Sequence, residues 1–308
     1  MDVASQRNML YTVYFTYFLC SKSFSATFAT CCLGLVVAMK HHSPELVLGL
    51  GVGCMVIPCV FTGLRMWAKR LGKGCLSWDD YFAVGALAIT ITTCGTQIVA
   101  TVHGRLGKHQ IVHANGQPVL DDPEFLVYEH TKFIQTILIT VGLGCIKASI
   151  LLFYNGIFSR IRSFRIAVHI MLGIVAAWVI SHTFANIFLC WPVTVLIEPY
   201  FGNKCINAGE IWLSNLYTDI IVDVAILIMP IPMVLRLQLP WAQKLGIIGV
   251  FMLGTLVCAT SVTRAVVLTK MMGEYLINYN DLMYWTAPAF FWSNIELSLA
   301  VVCASLPP

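Results

Sequence analysis

The sequence predicts an all-α membrane protein, a bundle of seven transmembrane helices. Three observations predict this fold: an apolar composition, seven long apolar stretches, and an alternation of charge between them. Of the 308 residues, 58% are hydrophobic and 11% are charged, whereas about 25% of the residues in a typical soluble domain are charged. A water-soluble fold could not bury this much apolar surface, but a fold that exposes apolar side chains to lipid can do so.

The predicted helices are stretches of about 20 apolar residues with few charges, the length that crosses the hydrocarbon core of a bilayer. The stretches cover residues 44–64, 81–103, 128–156, 167–190, 209–234, 245–269 and 282–305. The connections between them are short, so residues 44–308 are predicted to form one transmembrane domain. The absence of an internal repeat argues against an inverted-repeat transporter.

Positive charges predict the orientation of the bundle, because cytosolic connections are rich in lysine and arginine. The first, third and fifth connections hold Arg65, Lys69, Arg70 and Lys73, then Arg160, Arg162 and Arg165, and then Arg236 and Lys244. The other three connections mix acidic and basic residues. The alternation holds over all six connections and predicts that the chain before the first helix lies outside.

Residues 1–43 form an N-terminal hydrophobic extension with two interpretations. One is a cleaved signal sequence, in which Arg7 precedes an apolar core and Ala26 and Ala29 lie near the cleavage site. The other is an eighth, uncleaved helix within residues 8–39 that starts in the cytosol. Both interpretations agree with the orientation of the seven-helix domain.

Five ionisable residues lie within the predicted helices, where a charge is costly and usually faces a partner in the bundle interior. They are Lys147, Asp219, Asp223, Arg264 and Glu296. At 1.5 Å per residue, Lys147 and Glu296 lie ~15 and ~14 Å from the cytosolic end of their helices, and Asp223 lies ~18 Å from it. Lys147 is therefore expected to pair with Glu296 or Asp223. Asp219 and Arg264 lie ~24 and ~28 Å from the cytosolic ends of their helices and are expected to pair with each other.

These five residues have a structural and a functional interpretation. In the structural one, ion pairs determine which helices pack together, and breaking a pair costs about 3–5 kcal/mol. In the functional one, the residues form a ligand-binding pocket or a proton- or ligand-coupled switch between two states.

Cys190 and Cys205 flank the fourth connection, on the predicted outer side. Because that compartment is oxidising, a disulfide between them is expected. A free pair is the alternative, and Cys94 near the outer end of the second helix is a competing partner.

Motifs of common catalytic and metal sites are missing. The sequence contains no H-E-x-x-H, no G-x-S-x-G and no P-loop, so we predict no metal, and enzymatic activity is less favoured than a binding role. The chain also has no basic block interleaved with aromatic residues, which argues against nucleic-acid binding.

Seven short motifs occur in a fixed order. They are W-D-D-Y-F at 78–82, G-R-L-G-K-H at 104–109, I-K-A-S-I-L-L-F-Y at 146–154, C-W-P at 190–192, D-V-A-I-L-I-M-P-I-P at 223–232, K-L-G-I-I-G-V-F-M-L-G at 244–254 and A-S-L-P at 304–307. In order and spacing, residues 44–307 resemble the fungal rhodopsin-domain family of integral membrane proteins.

The resemblance implies a multi-pass membrane protein of filamentous fungi. Some members are described as G-protein-coupled-receptor-like sensors, and others are encoded in secondary-metabolite gene clusters. We therefore expect a receptor-like sensor in the plasma membrane, with a polar pocket for a small lipophilic or extracellular ligand and a cytosolic signalling partner. The alternative is a membrane-embedded enzyme or accessory protein of a secondary-metabolite pathway.

The family name suggests retinal, but the residues do not. A retinal Schiff base needs a lysine in the last helix, and residues 282–305 contain none. We therefore predict no retinal and no other cofactor.

Overall fold

The structure is a computed structural model that describes residues 44–71, 77–110, 119, 122–158, 161–191, 193–194, 204–232, 252, 254–269 and 282–305. The two interpretations of residues 1–43 fall outside this part of the chain and stay predictions.

Almost all of the described residues are helical. In chain order the helices are α1 (Pro44–Leu71), α2 (Trp78–His103), α3 (Pro123–Ile157), α4 (Arg162–Ile187), α5 (Ala208–Ile228), α6 (Gly254–Thr269), α7 (Leu282–Trp285) and α8 (Ala287–Ser305). Between α4 and α5, the two-residue strands β1 (Cys190–Trp191) and β2 (Lys204–Cys205) pair antiparallel.

Six helical segments of the described chain are long and apolar enough to cross a membrane: α1 to α5 and the segment Met283–Ser305 that joins α7 to α8. The sixth predicted span, 245–269, is described as a helix only over Gly254–Thr269, which is a shorter apolar helix. The protein is therefore a multi-pass membrane protein with a bilayer around it, and the count of seven spans stays a prediction.

Several helix ends differ from the predicted ones for local reasons. Helix α3 begins at Pro123, five residues early, because the Asp122 carboxylate accepts a hydrogen bond from the Glu124 N–H (3.2 Å) and proline suits a first helical position, where an N–H has no partner. The last predicted span is interrupted at Thr286. Pro288 follows this break, and proline cannot donate a helical hydrogen bond.

The helices expose apolar side chains and bury polar ones. Val56, Ile170 and Phe184 are 50%, 61% and 56% exposed, whereas the buried Gln97 and Asp80 are 0% exposed. This distribution suits lipid, which solvates apolar groups but offers no hydrogen bonds to polar ones.

Helix α3 lies at the centre of the bundle. It packs against α2, α4, α5 and α8, and α8 also returns to pack against α1 and α2. Glycine permits the close approach of α3 and α4: a Cβ atom on Gly144 would lie 2.2 Å from Cγ2 of Val179. The polar faces of α3, α5, α6 and α8 meet inside this arrangement.

Candidate functional site

The structure brings the five predicted ionisable residues into one network. Lys147 comes from α3, Asp219 and Asp223 from α5, Arg264 from α6 and Glu296 from α8. Their side chains are at most 10% exposed. The network therefore joins four helices in the interior of the bundle.

Arg264 bridges two helices. One terminal nitrogen of its guanidinium lies 2.8 Å from Oδ2 of Asp219, and the other lies 2.6 Å from Oε2 of Glu296. Arginine suits this position because its planar group stays charged and offers several donors in a fixed geometry. Movement of Arg264 would change the contacts of α5 and α8 together.

Lys147 forms the other cationic centre. Its Nζ lies 3.2 Å from Oδ1 of Asp219 and also pairs with Asp223. The same ammonium lies 5.8 Å from the centroid of the Trp178 ring, within the range of a cation–π contact. Asp219 is thus shared between two cations.

Ser261 connects the remaining two carboxylates. Its hydroxyl lies within hydrogen-bonding distance of Asp223 (2.9 Å to Oδ2) and of Glu296. A hydroxyl donates only one hydrogen bond at a time, so the two carboxylates compete for it. Three carboxylates face two cations, so the network has one more acidic group than basic groups.

The three carboxylates are close enough to consider a metal. One oxygen from each of Asp219, Asp223 and Glu296 lies within 4.8 Å of the others. However, Lys147 and Arg264 already pair with all three carboxylates. We assign no metal to this cluster.

Lys147 pairs with Asp223, one of its two predicted partners, and Arg264 pairs with its predicted partner Asp219. Glu296, the other partner predicted for Lys147, pairs with Arg264.

A cavity of about 150 Å³ lies beside Arg264. Its walls come from α3, α5, α6 and the α7–α8 segment, and the predicted orientation places it in the outer half of the bundle. The lining residues are Lys132, Gln135, Thr136, Ile139, Thr140, Leu143, Trp212, Leu213, Asn215, Leu216, Arg264, Leu268, Trp285, Thr286, Ala289, Phe290 and Ser293. Arg264 therefore belongs both to the cavity wall and to the charge network.

Sequence reasoning missed a buried ion pair near this cavity. Lys132 donates to Oε1 of Glu129 at 2.8 Å, and the two residues are 4% and 0% exposed. Their spacing of three residues on one helix is the signal that could have revealed the pair.

A second missed cluster lies at the predicted cytosolic end. Arg65 pairs with Asp79 (2.5 Å) and Asp80 (2.9 Å), and Lys69 pairs with Asp80 (2.6 Å). The prediction that Arg65 and Lys69 lie in the first connection is wrong: both belong to α1, and Arg65 is 3% exposed. Arg65 also donates to the backbone carbonyl of Ala304 in α8 (2.6 Å).

Cys190 and Cys205 form a disulfide between β1 and β2. Cys94, the competing partner, is a buried free thiol. The bridge lies on the side of the bundle that the charges place outside the cytosol, where oxidation is favoured.

An apolar exterior, an interior with buried ion pairs and a cavity between the helices define a multi-pass α-helical membrane protein with a polar core. The model of the fungal rhodopsin domain matches residues 64–308. The chain belongs to the fungal rhodopsin domain family, which confirms the resemblance drawn from the seven motifs.

Three relatives illustrate the range of the family. The chain is 29% identical to the Phomoidride biosynthesis cluster protein H of a fungal species over 58% of this chain and 70% of the relative. It is 26% identical to Receptor GIN3 of Arthrobotrys oligospora over 92% of this chain and 66% of the relative. It is 24% identical to the Wortmanamides biosynthesis cluster protein C of Talaromyces wortmannii over 80% of this chain and 65% of the relative.

The chain therefore spans about two thirds of the length of these relatives. No solved structure matches it.

Proposed function

We propose that the protein is a receptor-like sensor of the plasma membrane that binds a small ligand in the cavity beside Arg264. The observation that carries this proposal is the double role of Arg264, which lines the cavity and holds Asp219 and Glu296. The similarity to a protein named as a receptor supports the same class of function.

The shared arginine provides a mechanism for switching. A ligand that draws the guanidinium towards the cavity weakens its pairs with α5 and α8. Because an unpaired buried charge is costly, by about 3–5 kcal/mol when one partner is lost, the helices then favour a second arrangement that restores pairing. Such two-state repacking is a common form of switching in helical proteins.

Helix α8 can carry this change across the membrane. Phe290 and Ser293 line the cavity, Glu296 belongs to the network, and the Ala304 carbonyl accepts a hydrogen bond from Arg65 at the other end. A shift of α8 would therefore alter the predicted cytosolic face. The basic residues of that face are proposed to bind a signalling partner there.

A complementation experiment tests the sensor. A deletion strain of the source fungus is complemented with the wild type, with Glu296→Gln, with Asp223→Asn, or with Glu210→Gln as control. Glu210 is exposed on the first turn of α5 and bonds only Asn207 in the described part of the chain, at 3.0 Å. Transcriptional responses to surface and nutrient changes, membrane localisation and metabolites are measured together.

We expect Glu210→Gln to restore the responses. The two network variants should reach the plasma membrane but fail to restore them, with metabolites unchanged. A protein with all five network charges neutralised that still restores every response would contradict the proposal.

A second candidate is a membrane-embedded enzyme or accessory protein of secondary metabolism. Two of the reported relatives are named as biosynthesis cluster proteins, and two carboxylates that compete for the Ser261 hydroxyl could exchange a proton with a lipophilic substrate. Loss of one specific compound in the deletion strain, restored by Glu210→Gln but not by Glu296→Gln, would favour this function over the sensor.

A further inference from the structure

Three polar atoms of the cavity residues have no hydrogen-bond partner among the residues that the structure describes. They are Nε2 of Gln135, Oδ1 of Asn215 and Nε of Arg264. Gln135 and Arg264 are 3% and 4% exposed. A buried polar atom without a partner is unfavourable, so such atoms bind water or a ligand.

The other polar atoms of the same side chains are already engaged. The Thr96 hydroxyl donates to Oε1 of Gln135 (2.5 Å), Nδ2 of Asn215 donates to Thr140 (3.3 Å), and the terminal nitrogens of Arg264 pair with carboxylates. These contacts hold the three groups in place. Two of the three unpartnered atoms are donors and one is an acceptor, and all three belong to residues that line the cavity.

The remaining wall is mostly apolar and partly aromatic. Three aromatic side chains, Trp212, Trp285 and Phe290, line it together with leucine and isoleucine residues. Aromatic rings are stabilised by offset or edge-to-face contact with one another, beyond the effect of burial. A cavity of about 150 Å³ has the size that holds one benzene ring in other proteins.

The charges around the cavity favour a neutral occupant. The charged residues in its lining are the cations Lys132 and Arg264, which would repel a cationic ligand. Both already pair with carboxylates, and the network behind Arg264 has three acids for two cations. An anionic ligand would therefore face an excess of negative charge.

We propose, on the basis of the sensor function above, that the ligand is a neutral single-ring aromatic compound with one carbonyl group and one hydroxyl group. The carbonyl oxygen accepts hydrogen bonds from Gln135 and Arg264. The hydroxyl donates to Asn215, and the ring packs against Trp212 and Phe290. The hydrogen bond from Nε of Arg264 connects this ligand to the charge network.

The probe for this proposal is 4-hydroxyacetophenone, measured at pH 6 by equilibrium dialysis against the full chain in lipid nanodiscs. Two compounds of similar size serve as comparisons: 4-hydroxybenzoate, which is an anion, and ethylbenzene, which lacks polar atoms. We expect the hydroxyketone to bind at least tenfold more tightly than either one.

Three variants locate the binding site. Gln135→Leu removes a donor and should weaken binding of the hydroxyketone about tenfold, since the buried carbonyl of the ligand then loses a hydrogen bond. Ala289→Leu fills the cavity and should abolish binding. Thr92→Val is the control, because the Thr92 hydroxyl is exposed and donates to its own helix at Ala88, and it should bind like the wild type.

The outcomes separate this inference from the sensor function. Tighter binding of 4-hydroxybenzoate, or no binding of the hydroxyketone to a wild type that unfolds cooperatively, overturns the ligand class. Equal binding by wild type and Ala289→Leu overturns the site. If Ala289→Leu reaches the membrane and also restores all responses in the deletion strain, the sensor function itself fails.

Discussion

Single residues in this protein act mainly through buried charge. Asp219 pairs with both Lys147 and Arg264, and Arg264 also pairs with Glu296. In a bilayer no bulk water is available to solvate a charge that loses its partner. The cost of changing one of these residues therefore depends on which charges are left behind rather than on the side chain that is removed.

The pair formed by Lys147 and Asp223 allows this to be tested. Lys147→Met removes the cation beside two carboxylates and should lower the free energy of unfolding by about 3–5 kcal/mol. The double variant Lys147→Met, Asp223→Asn removes one charge of each sign and should recover part of this loss. Thermal unfolding of the purified chain in detergent measures both values.

Asp223→Asn alone completes the double-mutant cycle. Effects that simply add, with no recovery in the double variant, would mean that the two side chains are not energetically coupled and that the network does not act as a unit.

At the scale of elements, α3 positions most of the site. It supplies Lys147 to the network and Lys132, Gln135 and Thr140 to the cavity, and it packs against four other helices. Small residues on its surface let these helices approach, which brings their polar groups within hydrogen-bonding distance. The geometry of the site therefore depends on helix spacing as well as on its own residues.

Gly144→Ala tests the spacing of α3 and α4. The added methyl group would lie 2.2 Å from Cγ2 of Val179, so we expect the free energy of unfolding to fall by about 1–3 kcal/mol from overpacking. Gly156→Ala is the matched control on the same helix, since a Cβ there meets nothing within 4 Å.

The control should be neutral or stabilising, because alanine is favoured over glycine in a helix by about 1 kcal/mol. Equal unfolding temperatures for Gly144→Ala and the wild type would show that α4 can move away from α3 without cost.

At the scale of the whole molecule, the orientation of the bundle in the membrane determines on which side the cavity lies. The cavity and the disulfide lie at one end of the bundle, and the cluster of Arg65, Lys69, Asp79 and Asp80 lies at the other. The basic connections predict that the second end lies in the cytosol. An external ligand and an internal partner would then meet opposite ends of the same helices.

Labelling of single cysteines tests this orientation. Lys108→Cys and Arg70→Cys each introduce a thiol at an exposed position, after α2 and in the last turn of α1 respectively. A membrane-impermeant maleimide applied to intact cells should label K108C and leave R70C unlabelled until the cells are permeabilised. The unmodified chain measures the background labelling of its own cysteines. The reverse labelling pattern would contradict the predicted orientation of the bundle.

The sequence by itself determined the membrane class, the family and the five charges of the central network. These conclusions rest on long apolar stretches and on the high cost of a charge in lipid, which are properties of local composition. The sequence also named Cys190 and Cys205 as a disulfide candidate, but it left a free pair and Cys94 as alternatives that the structure decided.

Only the tertiary structure decided which charges meet and what lies beside them. Glu296 pairs with Arg264, and Arg65 is buried against Asp79. The cavity forms where α3, α5, α6 and the α7–α8 segment leave a gap between them. Depth counts along single helices carry no information on the rotation, tilt or offset of their neighbours. Those quantities come from packing between helices, so the partners and the cavity appear only when the helices are assembled.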